Sequence, residues 1–120
     1  MVRCLIVDDS PAFLRGAKIL LEGEGVVVIG VASNSAEALQ LAQDLQPDVT
    51  LVDIDLGGES GFELAGRLRE HGLPRSGLVL ISTRSEEDYG GRIAASEACG
   101  FVAKDALSAN AIRRVIQDCR

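Results

Sequence analysis

The chain of 120 residues has no tryptophan, one tyrosine and three phenylalanines. Its core must therefore be assembled from valine, isoleucine, leucine and alanine. Basic residues are also short: 12 Lys+Arg stand against 18 Asp+Glu, a formal charge of −6. Binding nucleic acid by neutralising phosphates and stacking on bases thus lacks both ingredients. No apolar stretch approaches the roughly 18 residues of a membrane span. The apolar run Cys4–Val7 leads straight into Asp8 and Asp9, so no signal peptide is expected. Cysteine is sparse and odd in number; Cys4, Cys99 and Cys119 have no metal-ligand spacing and read as reduced thiols in or near a core. The one histidine, His71, sits beside Gly72 and Pro74 near a predicted helix end and reads as a surface residue. Proline-rich linkers and low-complexity segments are missing too, so nothing divides the chain. At 47% hydrophobic and 25% charged residues the composition is that of a globular domain over residues 1–120. Such a length buries about two-thirds of its unfolded surface without help from a disulfide or metal. The expectation is one acidic cytoplasmic domain that contacts neither membrane nor nucleic acid.

What the chain does have is a rhythm. Short apolar runs recur at Cys4–Val7, Val26–Ala32, Val49–Val52, Leu78–Ile81 and Phe101–Ala103, several of them β-branched at consecutive positions. Strands buried on both faces require that pattern. Amphipathic stretches with helix-start signals lie between them. Ser10-Pro11 reads as N-cap and first turn, Asn34 with Glu37 and Ser60 with Glu63 have capping-box spacing, and Ser85 and Ser108 are further N-caps. Strand and helix alternate five times, which predicts an open, doubly wound parallel α/β sheet. The fourth helix, Glu86–Cys99, contains Gly90-Gly91, each costing about 1 kcal/mol relative to alanine. It either starts late or is loosely held.

Four of the five runs stop at a residue capable of chemistry: Asp8-Asp9, Asp53, Ser82 and Lys104. In a parallel sheet all carboxyl ends share one edge, where ligands bind beside the reversal of strand order. Three carboxylates and one ammonium leave two negative charges, which a dication would balance. Oxygen ligands without histidine or cysteine point to Mg²⁺. A dication, an ammonium and a hydroxyl together suit a phosphoryl group, and the available nucleophile is a carboxylate.

Asp8-Asp9 after an apolar strand, Asp53 44 positions beyond Asp9, then Ser82 and Lys104, together resemble the receiver domain of two-component response regulators over essentially the whole chain. The resemblance implies a flavodoxin-like (βα)5 fold with strand order 2-1-3-4-5. It implies that Asp53 is the phosphoacceptor for a sensor histidine kinase or a small acyl phosphate. Asp9 would ligate Mg²⁺ directly, Asp8 largely through water, and Asp53 and the main-chain carbonyl of Asp55 would complete the set. Lys104 would pair with the phosphoryl oxygens, Ser82 would hydrogen-bond one of them, and Phe101 would take the aromatic switch position. The segment from Gly100 to Asp105 is similar to the NarL/LuxR-type subgroup, whose receivers usually precede a helix-turn-helix output domain. Sixteen residues follow Lys104, enough for one last helix, so a LuxR-type DNA-binding output partner is expected outside this chain. The switching surface would be that of the fourth helix, fifth strand and fifth helix. A receiver homodimer is a further partner the resemblance allows, and Arg113 and Arg114 on the last helix read either as a partner surface or as solvated charges. Phe13 and Leu14 either help dock a kinase or pack in the core.

Two departures from the family pattern stand out. Asp105 replaces the proline frequent after the lysine, so a trans Lys104–Asp105 peptide is expected, a cis bond there costing about 3 kcal/mol. Gly57 replaces a proline frequent in the loop after Asp53, which predicts a more mobile loop with every ligand retained. Asp55 and Arg84, each two residues past a site residue, are expected to pair over the acyl phosphate and restrict the hydrolytic water, with Thr83 adding bulk. The domain is expected to catalyse only its own phosphorylation and dephosphorylation. One rival is a receiver fold used as a phosphorylation-independent binding module, which the altered loops allow. The other is a haloacid-dehalogenase-type phosphatase, since Asp53-Ile54-Asp55 follows an apolar strand; Gly57 stands where that motif expects threonine or valine, and the motif lies far from the chain start.

Overall fold

A computed structural model describes residues 1–119. Strands β1 (Arg3–Val7), β2 (Val27–Ala32) and β3 (Val49–Asp53) precede a two-residue-per-strand hairpin, β4 (Asp55–Leu56) and β5 (Glu59–Ser60). Strands β6 (Leu78–Ser82) and β7 (Gly100–Ala103) follow. The main sheet is fully parallel in the order β2-β1-β3-β6-β7. Setting the small hairpin aside, this is the doubly wound flavodoxin order expected from the resemblance. Strands β3 and β6 are buried at every position, as their unbroken apolar runs require.

Helices α1 (Pro11–Gly23), α2 (Ser35–Leu45), α3 (Gly61–Glu70) and α4 (Ala109–Gln117) cover the two faces. Alternation along β1 divides the core: Leu5 and Val7 pack with Ala38, Ala42, Leu64 and Leu68 of α2 and α3. Cys4 and Ile6 pack with Leu14, Ala17, Leu21 and Ile112 of α1 and α4 on the other face. The caps fall where expected: Ser10, Asn34, Ser60 and Ser108 each accept the backbone N–H three residues on. The Asn34–Glu37 pair is not a reciprocal box, however. The Glu37 carboxylate reaches past Asn34 to the Ser33 N–H at 2.8 Å and Ser33 Oγ at 2.7 Å, bonds that hold its pKa below the ordinary carboxylate value.

The predicted fourth helix does not form. Ser85 and Asp88 cap a single 3₁₀ turn, Glu86–Tyr89, and Gly90 then turns to a φ of +58°, outside helical space. Isolated turn hydrogen bonds carry the chain from there toward β7. Two adjacent glycines cost more backbone entropy than a short helix returns, so the expected flavodoxin-like fold holds with five parallel strands and four α-helices among the described residues, turns standing where the fourth of five helices was expected. The cysteine expectation is also corrected: the structure joins Cys99 and Cys119, with Cα atoms 5.4 Å apart. Cys4 alone matches the reading as a buried thiol, and burial pushes its pKa up to about 12. No cis peptide occurs among the described residues, so Lys104–Asp105 is trans. His71 caps α3 at the surface, its Nδ1 2.8 Å from the Arg67 carbonyl.

Candidate functional site

Register brings the chemistry to one edge. Val7 pairs with Ala32 and Val52, Asp53 with Ile81, and Ser82 with Ala103. Asp8, Asp53, Ser82 and Lys104 therefore emerge together at the carboxyl ends of β1, β3, β6 and β7. Asp8 and Ser82 are buried, as is Asp53, whereas Asp9 is exposed.

The Lys104 ammonium lies 2.5 Å from Asp8 Oδ2 and 3.2 Å from Asp53 Oδ2. Burial by itself would lower the Lys104 pKa, but its contacts with Asp8 and Asp53 outweigh this and raise it. Asp53 feels the opposite balance: burial and then the facing Asp8 charge push its pKa up from 3.8 to about 6, against the pull of Lys104. The Phe13 ring lies under Lys104, with Nζ 4.5 Å from its centroid, a cation–π contact that keeps the ammonium over the site. Leu14 packs in the core. Of the two readings of that pair, core packing describes both, Leu14 within the cluster and Phe13 against it, where its ring also meets the lysine.

Asp8, Asp9 and Asp53 each offer a carboxylate oxygen, and these lie within 4.8 Å of one another. Asp8 Oδ1 accepts the Ser10 N–H at 2.8 Å. Its buried Oδ2 is ion-paired with the Lys104 ammonium. An all-oxygen cluster of three carboxylates with one ammonium to offset their charge fits a small hard cation such as Mg²⁺, which retains waters beside one or two carboxylates.

The loop after Asp53 is shaped around these acids. It folds into the β4-β5 hairpin, turning at Gly57 and Gly58 with positive φ. A Cβ on Gly57 would stand 2.8 Å from Asp9 Oδ2, so a side chain there would push the Asp9 carboxylate aside. Gly61 starts α3 so close beneath β3 that a Cβ would stand 2.1 Å from the Asp53 carbonyl oxygen. Asp53 Oδ1 accepts the Asp55 N–H at 3.3 Å. Glu59 braces the hairpin from outside, its Oε1 accepting the Ser35 N–H at the head of α2 at 2.9 Å.

Ser82 is at the edge, but its partners are Tyr89 and the main chain. Its Oγ is 2.6 Å from the Tyr89 hydroxyl and accepts the Arg84 N–H at 3.0 Å. The expected Asp55–Arg84 ion pair is not among the ion pairs of the described residues. Asp55 Oδ2 instead meets the Tyr89 hydroxyl at 3.5 Å, while Thr83 and Arg84 are exposed. Phe101 is half-buried, its ring 6.3 Å from that of Tyr89, and Arg113 and Arg114 are exposed on α4. Tyr89 is the residue that sequence reasoning missed. As the one tyrosine in an aromatic-poor chain, seven positions past a site serine, it carried a signal.

A parallel sheet with an acidic cluster, hydroxyl and lysine on its carboxyl edge defines a receiver-type α/β domain. Comparison with known proteins agrees: the model of the response regulator receiver domain family matches residues 4–117, and the chain belongs to that family. It is 31% identical over 117 residues to the response regulator GacA of Pseudomonas viridiflava, covering 96% of this chain and 54% of that protein. It is 35% identical over 85 residues to the nitrate/nitrite response regulator NarL of Escherichia coli strain K12, covering 70% and 39% respectively. A LuxR-family two-component response regulator from Aurantimonas sp. SI85-9A1 superposes with a TM-score of 0.86 at 26% identity, covering all of this chain and 88% of that one. These relatives place the chain with the NarL/LuxR-type receivers. The chain spans about half the length, or less, of these two curated relatives. Among the described residues no helix is long and apolar enough to cross a membrane.

Proposed function

We propose that the domain is a phosphorylation-controlled switch in the cytoplasm, with Asp53 as its phosphoacceptor. The observation that carries this reading is the single ammonium of Lys104 shared between Asp8 and Asp53 at the sheet edge. A carboxylate oxygen of Asp53 attacks the phosphorus of a histidine-kinase phosphohistidine or a small acyl phosphate. The new O–P bond forms as the bond to the leaving imidazole nitrogen or carboxylate breaks. Mg²⁺, held by Asp8, Asp9, Asp53 and the main-chain carbonyl of Asp55, would neutralise phosphoryl charge when bound. Lys104 leaves its carboxylate partners to pair with the incoming oxygens, since the product carries about two negative charges. Ser82 donates its hydroxyl proton to one of them, and its movement opens room for Phe101. The domain turns over only its own acyl phosphate.

The signal leaves through the surface of the turn-rich 86–99 segment, β7 and α4, toward an output partner. The NarL and LuxR-family relatives favour a DNA-binding domain outside this chain, or a second receiver. Incubation with acetyl phosphate tests the reading. Mg²⁺-dependent addition of one phosphoryl group, lost in Asp53→Asn, is expected. No labelling with Mg²⁺ present would make the fold a phosphorylation-independent binding module. Steady hydrolysis of a free phosphate ester would make it a phosphatase instead.

A further inference from the structure

The four aromatic residues of this chain all gather around the candidate site. Phe13 lies under Lys104. Phe62, Tyr89 and Phe101 form a row, with ring centroids 6.0 Å and 6.3 Å apart in edge and tilted contacts. Tyr89 occupies the middle of the row, and its ring belongs to the core cluster beneath α2 and α3. Its hydroxyl, however, reaches out of that cluster to Ser82 Oγ at 2.6 Å and, more distantly, to Asp55 Oδ2 at 3.5 Å.

A serine hydroxyl has one proton and two lone pairs. One lone pair of Ser82 takes the Arg84 N–H. The Tyr89 contact takes either the proton or the other lone pair. An Asp55 carboxylate can only accept, so it draws the tyrosine proton to itself and leaves Ser82 donating to the tyrosine oxygen. The proton that a phosphoryl oxygen on Asp53 would need is thereby committed elsewhere. Ser82 is 1% exposed and Tyr89 8%, so the bond between them is buried, and an unmade buried hydrogen bond is costly.

We propose that Tyr89 is a positioning residue: its hydroxyl latches Ser82 in the unphosphorylated arrangement, and its ring couples release of that latch to Phe101. The proposal rests on the reading of Asp53 as phosphoacceptor. It differs from the aromatic role expected of Phe101, which has no hydroxyl; here the hydroxyl that engages Ser82 comes from the 3₁₀ turn Glu86–Tyr89. Gly90 and Gly91 leave that turn without a helix behind it, so Tyr89 can withdraw without unwinding one.

The test uses beryllofluoride with Mg²⁺ as a phosphoryl mimic, and the fact that this chain has one tyrosine and no tryptophan. In the wild type, Mg²⁺ and beryllofluoride are expected to change the emission of Tyr89 as its hydroxyl loses Ser82. Tyr89→Phe keeps the ring row and deletes the latch. Calorimetric titration of this variant should give about threefold to tenfold tighter beryllofluoride binding, the factor that one ordinary hydrogen bond supplies. In a Ser82→Ala background the same change should have no effect, an outcome a merely structural tyrosine would not produce. Unchanged or weaker binding by Tyr89→Phe overturns the latch, as does an equal effect in both backgrounds. Should that variant not fold, constant wild-type tyrosine emission at saturation overturns it just as well. Acetyl phosphate labelling separates the two readings. Labelled Asp53 with silent tyrosine emission removes the latch and keeps the acceptor, whereas failure to label wild type and variant alike removes both.

Discussion

Gly57 stands against Asp9: the glycine turns at a φ of +54°, and a methyl group on it would stand 2.8 Å from Asp9 Oδ2. The absence of a side chain at one loop position thus leaves room for an acid at another. Gly57→Ala is expected to displace Asp9 and strain the hairpin, weakening Mg²⁺ binding by about tenfold and lowering metal-free stability by roughly 1–2 kcal/mol. Calorimetric Mg²⁺ titration and chemical denaturation measure the two effects. Wild-type affinity in the variant would show that Asp9 needs no such clearance.

Asp53 ties stability to pH in the metal-free protein. Its folded pKa, raised to about 6 by burial and by Asp8, lies above the ordinary value of about 3.9. Between these the folded chain holds a proton that the unfolded chain has released, so this residue's contribution to stability falls as pH rises. Asp53→Asn removes the effect. In chelator, its gain in Tm over wild type should grow from about pH 4 to about pH 6 and then level off. The lowered pKa of Glu37 acts in the opposite direction but is common to both proteins. A difference independent of pH would contradict the raised pKa.

Removing Lys104 should expose the repulsion it now offsets. Lys104→Ala leaves Asp8 and Asp53 facing each other without a counter-charge, and breaking a buried pair costs about 3–5 kcal/mol. Metal-free stability near neutral pH is expected to fall by that order, less whatever Asp53 recovers by taking up a proton. Saturating Mg²⁺ should narrow the gap, because a dication replaces the lost charge. Denaturation with and without Mg²⁺ measures it, and an equal loss in both conditions would place the role of Lys104 in packing alone.

Gly90→Ala with Gly91→Ala should push segment 86–99 toward the helix it lacks, by about 1 kcal/mol per residue. Helical circular dichroism should rise, and changes in amide exchange on phosphorylation should shrink there. Unchanged protection would mean that the segment's turns are held by Tyr89 and Ile93 packing rather than by glycine entropy.

Arg84 should matter little to acyl-phosphate lifetime, since it makes no ion pair with Asp55. Arg84→Ala is expected to change the dephosphorylation half-life by less than about twofold, as for a surface substitution. A large acceleration would show that the pair forms only after phosphorylation.

Periodicity and strand-end chemistry were local enough to read in one dimension. Unbroken apolar runs mark strands buried on both faces, and a parallel sheet has a single carboxyl edge. Asp8, Asp53, Ser82 and Lys104 were therefore brought together before any coordinate. Capping serines were legible for the same reason, since a side chain reaches only three residues along its own chain. Glycine cost flagged the weak fourth helix, but its complete loss depended on the balance between packing and backbone entropy. The Asp55–Arg84 pair is absent among the described residues of the unphosphorylated chain, and spacing along two loops does not say how their side chains are placed.

By itself, then, the order of residues determined the fold class, the acid–lysine edge and the places where helices begin, because each follows from short-range geometry or from the symmetry of parallel strands. Only tertiary structure decided that Tyr89 meets Ser82, that Gly57 makes way for Asp9 and that Cys99 reaches Cys119. These contacts join separate loops and chain segments, and their distances are set by how the helices and turns settle on the sheet, a three-dimensional packing outcome that no pattern along the chain encodes.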